Sequence, residues 1–295
     1  MGLVGLGAMG SGMAACLLRA GLPLVVHNRT AAAVRPLVDL GAHAAATAAD
    51  AVGQADVVLV SLSDDDAVES VLFGAAAGAL RPGTVVVNTS AISPRYARSS
   101  AERLRAAGAV PVEAGVVGNP EMARAGRLRV LTGGRAEDAA AVADLLDLVG
   151  EQVVHVGDHG SAVVLKLCFN LLLGAQTAVL AEAVSYGTGA GIDRDVLLDA
   201  IVQSGFSSPV LTFRASFMRS GQYEPAAFRA GLMAKDLGNV LSDATELGLG
   251  LPVVARLAER FTQLAGTWPD SDAAAVLRLQ HADAGRPERT AASRP

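Results

Sequence analysis

Six residues near the start of the chain, Gly5-Leu6-Gly7-Ala8-Met9-Gly10, restrict the available folds more than any other feature. A strand-like run, Gly2-Leu3-Val4, precedes them, and a helical pattern from Ser11 to Ala20 follows. At a strand-to-helix turn each glycine of G-x-G-x-x-G has a use. The first permits a tight turn, the second lets backbone approach an anionic group, and the third allows the helix to pack closely; the helix N-terminus then stabilises the anion. The unit closes at Val26-His27, the length of one βαβ repeat, so this context predicts a dinucleotide site on Gly5, Leu6, Gly7, Ala8, Met9 and Gly10. Four residues precede Gly5, fewer than the roughly five or six of a usual strand. The expectation is either a natural start a few codons upstream or a truncated central strand that costs stability.

Further strand-like runs occur at Leu24-Val25-Val26-His27, Val57-Val58-Leu59-Val60, Thr84-Val85-Val86-Val87 and Ala109-Val110-Pro111-Val112. Helical patterns separate them over Ala31 to Leu40, Ala67 to Leu80 and Arg95 to Ala107. Strands without polar alternation, spaced by crossover-length helices, predict an α/β class with an N-terminal Rossmann doubly wound parallel sheet. Thr132-Gly133-Gly134 and Val153-Val154-His155-Val156-Gly157 suggest two more strands around a helix from Ala136 to Leu148. That places a dinucleotide domain over residues 1–157. From Ser161 to Ala190 the chain has no strand punctuation, and the remainder reads as helices broken at Gly191, Ser207-Ser208-Pro209, Gly221 and Leu251-Pro252. An all-α C-terminal domain over residues 158–281, joined by a long helix, and a flexible tail over residues 282–295 are expected.

Composition narrows the partners. Hydrophobic residues at 51% against 18% charged argue for a packed globule. An aromatic content of 4% and a formal charge of −5 offer neither stacking platforms nor a basic field, so no nucleic acid is expected. The most apolar segment, Leu165 to Val184, includes Lys166, Asn170, Gln176 and Glu182 and reads as too polar to cross a membrane. No secretory leader pattern opens the chain, so a cytoplasmic location is expected. Cys16 and Cys168 sit in apolar stretches and read as small buried hydrophobes. His27, His43, His155, His159 and His281 are scattered, so no metal site is expected; His159 reads as a capping or solvated residue.

About twenty residues past the glycines, where NAD-binding chains place a carboxylate for the ribose hydroxyls, this chain has Asn28-Arg29-Thr30. Arg29 can pair with a 2′-phosphate and stack on adenine, which favours NADP(H) over NAD(H). In the long helical run, Lys166 and Asn170 are four apart and share one stripe. A lysine among Val163, Val164, Leu165, Leu167 and Phe169 reads in two ways. It is a proton carrier for a carbonyl receiving hydride, or it snorkels from a packed helix. Lys235, beside Asp236 on an amphipathic pattern, reads by itself as a solvated face.

In order, GLGAMGSGMA with HNRT, VEAGVVGNPEMARAGRL, GDHGSAVVLKLCFNLLL and LMAKDL resemble the β-hydroxyacid dehydrogenase family of 3-hydroxyisobutyrate dehydrogenase-like and glyoxylate/succinic semialdehyde reductase-like enzymes. The resemblance runs from Gly2 to about Leu279. It implies NADP(H)-dependent interconversion of a small carbonyl acid and its hydroxy acid, with a helical domain that joins homodimers or homotetramers. By the same resemblance Lys166 is the catalytic acid/base, Asn170 holds substrate, and Lys235 lies near both nicotinamide and substrate. Leu62, Ser63 and Ser90 join the fingerprint and Asn28-Arg29-Thr30 around the cofactor, and Val117-Gly118-Asn119 falls on the substrate-carboxylate segment. The family usually shows Ser-Gly-Gly there, and Val117 has no hydroxyl to donate; Ser90-Ala91 likewise replaces Ser-Thr. Two alternatives stand. One is an imine reductase-like enzyme, suited by Val117 but opposed by the cationic Lys166. The other is a catalytically silent NADPH-binding interaction module, opposed by the presence of Lys166, Asn170 and Lys235.

Overall fold

The computed structural model describes residues 1–283, so the expected tail beyond residue 283 lies outside them. The chain divides into two compact units, Met1–Lys166 and Leu167 onward.

The first unit is built on an eight-stranded sheet in the order β3-β2-β1-β4-β5-β6-β7-β8. Its strands are β1 (Gly2–Val4), β2 (Val25–His27), β3 (His43–Ala44), β4 (Val57–Val60), β5 (Val85–Asn88), β6 (Val110–Val117), β7 (Leu128–Gly133) and β8 (Gly150–Gly157). Neighbours run parallel except β6 with β7, which pair antiparallel from Glu113↔Gly133 to Val117↔Arg129. The expectation of a parallel sheet therefore holds for the first six strands and is corrected at β7. The reason is length: the β6–β7 link contains only a six-residue helix, Pro120–Ala125, ended by Gly126 at φ 69°. A parallel return needs a crossover of about a dozen residues or more. β1 pairs with both β2 and β4, which makes it the point where the strand order reverses, and the glycine turn leaves its carboxyl end.

Helices α1 (Ala8–Arg19), α2 (Arg35–Val38), α3 (Ala48–Gly53), α4 (Asp65–Val68), α5 (Pro94–Ala106), α6 (Pro120–Ala125), α7 (Ala136–Ala140) and α8 (Ala143–Val149) complete this unit. Three are shorter than the sequence predicts. The helix expected from Ala31 to Leu40 is a 3₁₀ turn, Ala31–Ala33, followed by the four-residue α2, with Pro36 lacking an amide proton for a continuous ladder. After α4 the chain widens into a π-helical segment, Glu69–Ala75, and a 3₁₀ turn, Ala77–Ala79; Gly74 and Gly78 are poor helix formers. The helix expected from Ala136 to Leu148 breaks at Val142, whose side chain is buried. The core joins Leu3, Leu59 and Val87 of the sheet to Met13, Ala14 and Leu17 of α1. Cys16 is half-buried, its thiol donating to the Leu148 carbonyl at 3.1 Å.

The second unit is helical: the greater part of α9 (Ser161–Gly189), then α10 (Arg194–Gln203), α11 (Pro209–Ser220), α12 (Ala230–Glu246), α13 (Pro252–Thr267) and α14 (Val276–Asp283). The breaks fall where backbone chemistry dictates. Ser208 caps α11 ahead of Pro209, and Gly221 closes it in the left-handed conformation at φ 68°. By length and composition alone α9 is apolar enough to cross a membrane, where the sequence read as too polar. Its Leu180, Ala181 and Val184 nonetheless pack into the core of this unit with Met218, Met233 and Phe261. Cys168 is exposed, not buried as expected. Its apolar sequence neighbours lie on other faces of α9, and the buried one is Leu167.

Beneath α11 the fully buried Asp272 accepts from Arg214 through both oxygens, at 2.5 and 2.6 Å. It also accepts from the amides of Ala227, Phe228 and Ala274 at 2.9–3.1 Å. One carboxylate thus satisfies three backbone donors and a guanidinium, and removing either charge leaves the other uncompensated. Asp272→Ala is expected to lower unfolding stability by about 3–5 kcal/mol, measured by urea titration followed with far-UV circular dichroism.

Candidate active site

The glycine turn is held by contacts that only glycine allows. At Gly5, φ is 95°, and a side chain would strike the Ser61 carbonyl; at Gly10 it would strike the Gly5 carbonyl. These two residues let α1 start hard against the end of β1. Gly7 differs: no atom lies within 4 Å of where its Cβ would be. It is the N-cap of α1, makes no side-chain cap bond, and the first turn carries no acidic residue. The first amides of α1 therefore face open space without a local anion, a cradle that fits the pyrophosphate of a dinucleotide.

Sequence-distant residues converge on this turn. Asn28 Oδ1 accepts from the Leu6 amide at 2.9 Å, and Asn28 Nδ2 donates to the Thr30 carbonyl at 3.1 Å. Arg29 and Thr30 are exposed beside it. On the other side Leu62 abuts Gly5, and the Leu62 amide donates to Ser90 Oγ at 3.0 Å. Ser90 is buried, so its hydroxyl ties the end of β4 to the end of β5. The exposed Ser63 donates to Asp64 Oδ2 at 2.7 Å, and Asp64 caps α4 through the Ala67 amide. This rim is braced further by Asp65, which accepts from the amide and hydroxyl of Ser93 at 2.8 and 2.6 Å. Glu69 accepts from Tyr96 Oη and Arg103. The Arg103 bond lowers the Glu69 carboxyl, and burial together with Glu69 pushes the Tyr96 hydroxyl upward.

At the end of β6, Val117 is half-buried and presents an apolar side chain, followed by Gly118 at φ 145°. Asn119 caps α6, its Oδ1 accepting from the Met122 amide at 2.9 Å. The acceptor oxygen of Asn119 is thereby committed, and its amide nitrogen is the donor it has to offer.

On α9, Lys166 is half-buried and Asn170 follows one turn later at 8% exposure. Within the second unit Asn170 Nδ2 donates to Asp236 Oδ2 at 2.7 Å, while Lys235 Nζ is 3.8 Å from Asp236 Oδ1. Asp236 is buried at 5% exposure. Sequence reasoning read the Lys235-Asp236 pair as a solvated face and missed Asp236. The signal that could have found it is its place among the apolar positions of α12, beside Met233 and Leu237. His159, expected as a capping or solvated residue, is largely buried against Glu113, with Nδ1 3.9 Å from Oε2. Gly134 leaves room for its ring, since a side chain there would collide with the imidazole. Among the described residues no group of His, Cys, Asp and Glu is arranged to hold a metal.

The chain is similar to known proteins along nearly its whole length. Residues 1–157 fit the family described as the NAD binding domain of 6-phosphogluconate dehydrogenase, and residues 160–280 fit that described as the NAD-binding domain of NADP-dependent 3-hydroxyisobutyrate dehydrogenase. An L-threonate dehydrogenase of Cupriavidus necator is 32% identical over 94% of this chain and 94% of its own length. A 3-hydroxyisobutyrate dehydrogenase of Pseudomonas aeruginosa is 35% identical over 88% of this chain and 90% of its own. The crystal structure of a 3-hydroxyisobutyrate dehydrogenase from Salmonella typhimurium superposes with a TM-score of 0.86 at 30% identity, covering 94% and 98% of the two chains. An open glycine cradle on a doubly wound sheet, followed by a helical unit and matched along nearly its whole length, makes this chain a member of the β-hydroxyacid dehydrogenase family, an NAD(P)-binding oxidoreductase acting on the CH–OH group of a hydroxy acid.

Proposed function

We propose that the protein interconverts a small aldehyde or keto acid and its hydroxy acid with NADP(H) in preference to NAD(H), Lys166 serving as acid/base. The observation that carries this reading is the placement of Lys166 one turn before a substrate-type asparagine that is already oriented by a buried carboxylate. When bound, the nicotinamide supplies hydride to the carbonyl carbon or takes it back. In the reducing direction Lys166 Nζ gives its proton to the carbonyl oxygen, so an alcohol forms and the amine is left neutral; oxidation reverses both transfers. Asn170 is neutral at all working pH values and holds the substrate by hydrogen bonds without competing for that proton. Asp236 fixes its amide, and Lys235 adds positive charge beside the same carboxylate.

The cofactor preference is supported by the absence of a carboxylate at positions 28–30 and by the exposed Arg29 guanidinium, which suits a 2′-phosphate. Asn28 contributes by holding the Leu6 amide, so the turn and the 2′-phosphate loop are one piece. On the substrate side Val117 puts an apolar wall where a hydroxyl is usual, leaving the Asn119 amide and the backbone of Gly118 and Asn119 as donors for a carboxylate. We place the enzyme in the cytoplasm, with access to the NADPH pool. For its assembly, the apolar side chains Leu172, Val179 and Tyr186 are exposed by 54%, 62% and 81% and recur at intervals of seven along α9. They lie on one face of that helix, and this supports a homodimer or homotetramer formed through the helical unit.

Three measurements test these statements. In a panel of glyoxylate, succinic semialdehyde, tartronate semialdehyde and a cyclic imine, Lys166→Ala is expected to lower carbonyl turnover by about 10²–10⁴-fold. Unchanged turnover by that variant, or turnover of the imine alone, rejects the assignment. Arg29→Asp is expected to raise the KM for NADPH by about tenfold or more, the cost of a charge-assisted bond, with the NADH value little changed. Val179→Asp is expected to shift the protein to a smaller species in analytical ultracentrifugation.

A further inference from the structure

Glu113 lies within β6 with 4% of its surface exposed. A carboxylate so placed is costly unless its oxygens are satisfied, and nothing in the proposed reaction uses it. Its partners are the amides that open α9: Oε2 accepts from Gly160, and Oε1 accepts from Val163 at 2.7 Å. The Gly160 carbonyl accepts from the Val164 amide, so Gly160 occupies the N-cap position, and glycine has no side chain with which to cap. A carboxylate 47 residues earlier in the chain takes that part. Gly133, opposite Glu113 on β7, makes the room, since a Cβ there would stand 2.8 Å from Oε2. Lys166 follows Gly160 by six residues, about 9 Å along the helix axis.

We propose that Glu113 is a positioning residue for the reaction: by clamping the first turn of α9 to β6 it fixes the height and rotation at which Lys166 is presented. This rests on the reading of Lys166 as the acid/base. Loss of the clamp frees the end of the helix, and a displacement of the order of 1 Å at a catalytic group costs roughly 10²-fold in rate.

The clamp is sensitive to protonation. Burial pushes the Glu113 carboxyl above the usual carboxylate range, against the opposing pull of the Gly160, Val163 and Ala162 amides and of Arg98 on α5. The facing groups are Arg98 and His159; Arg105 of α5, Asp138 of α7 and Asp158 act on His159. Burial first, and Arg105 second, hold His159 below the ordinary imidazole range. A proton on either Glu113 oxygen replaces an acceptor with an O–H donor facing an amide donor and loosens the first turn. Because its folded-state pKa is raised, the native protein takes up that proton more readily than the unfolded chain does. Its contribution to stability is therefore present below the unfolded value and declines as pH rises through the folded one. Acidification accordingly removes rate through this group without removing the fold through it.

The test compares wild type, Glu113→Gln, Gly133→Ala and Lys166→Ala in steady-state kinetics across pH, with saturating NADPH and the fold checked by circular dichroism. Glu113→Gln is expected to lower kcat at neutral pH by about 10–100-fold, leave KM within about threefold, and flatten the acid limb of the wild-type profile. Gly133→Ala, which displaces the carboxylate without removing it, is expected to lower kcat severalfold and keep the limb; it carries the test if Glu113→Gln does not fold. Wild-type kcat and an intact acid limb in folded Glu113→Gln, or wild-type kcat in Gly133→Ala alone, with turnover lost in Lys166→Ala, overturn the clamp and leave the lysine assignment standing. Wild-type turnover in Lys166→Ala overturns the assignment beneath it.

Discussion

The close approach of α1 to β1 is the constraint on which the rest of the first unit depends. Gly10 packs against the Gly5 carbonyl, and Gly5 in turn lies against Ser61 at the end of β4, so two glycines bring three elements together at one edge of the sheet. A methyl group at either place would separate them. That separation would also turn the first amides of α1 away from the point where the strand order reverses, the place where open α/β sheets bind their ligands. The same backbone contact thus sets the packing of the core, in which Met13, Ala14 and Leu17 meet Leu3 and Leu59, and the direction of the anion cradle.

Much of this was legible in the sequence because it is written in local chemistry. The fingerprint, the β-branched runs at Val57–Val60 and Val85–Val87, and the stops at Gly191, Ser208-Pro209 and Gly221 each depend on a few adjacent residues, and the structure has them where they were expected. The two-residue strand His43–Ala44 was not legible, since it is too short to carry a pattern and exists by pairing with β2. The reversal at β7 escaped for another reason. Direction is a property of the link, and the residues of Leu128–Gly133 look the same whichever way they run.

The candidate site divides along the same line. Asn28, Lys166 and Asn170 stand out by their position relative to the glycines or within an apolar helix. Glu113 and Asp236 do not, because what distinguishes each is a partner about fifty residues or more away: the amides of Gly160 and Val163 for one, Asn170 for the other. A buried acid in an apolar stretch is the available hint, and only coordinates say which donors offset its desolvation. Cys168 shows the converse error, where apolar neighbours along the chain were taken as neighbours in space.

The bond from the Leu6 amide to Asn28 constrains what residue 28 can become. Position 28 belongs to the architecture of the turn, so whatever replaces asparagine there has to present an acceptor to the same amide. Arg29 and Thr30 point outward and carry no such duty through their side chains. Substitutions at those two positions leave this bond in place, whereas one at residue 28 that lacks an acceptor costs the glycine turn its tie to the end of β2.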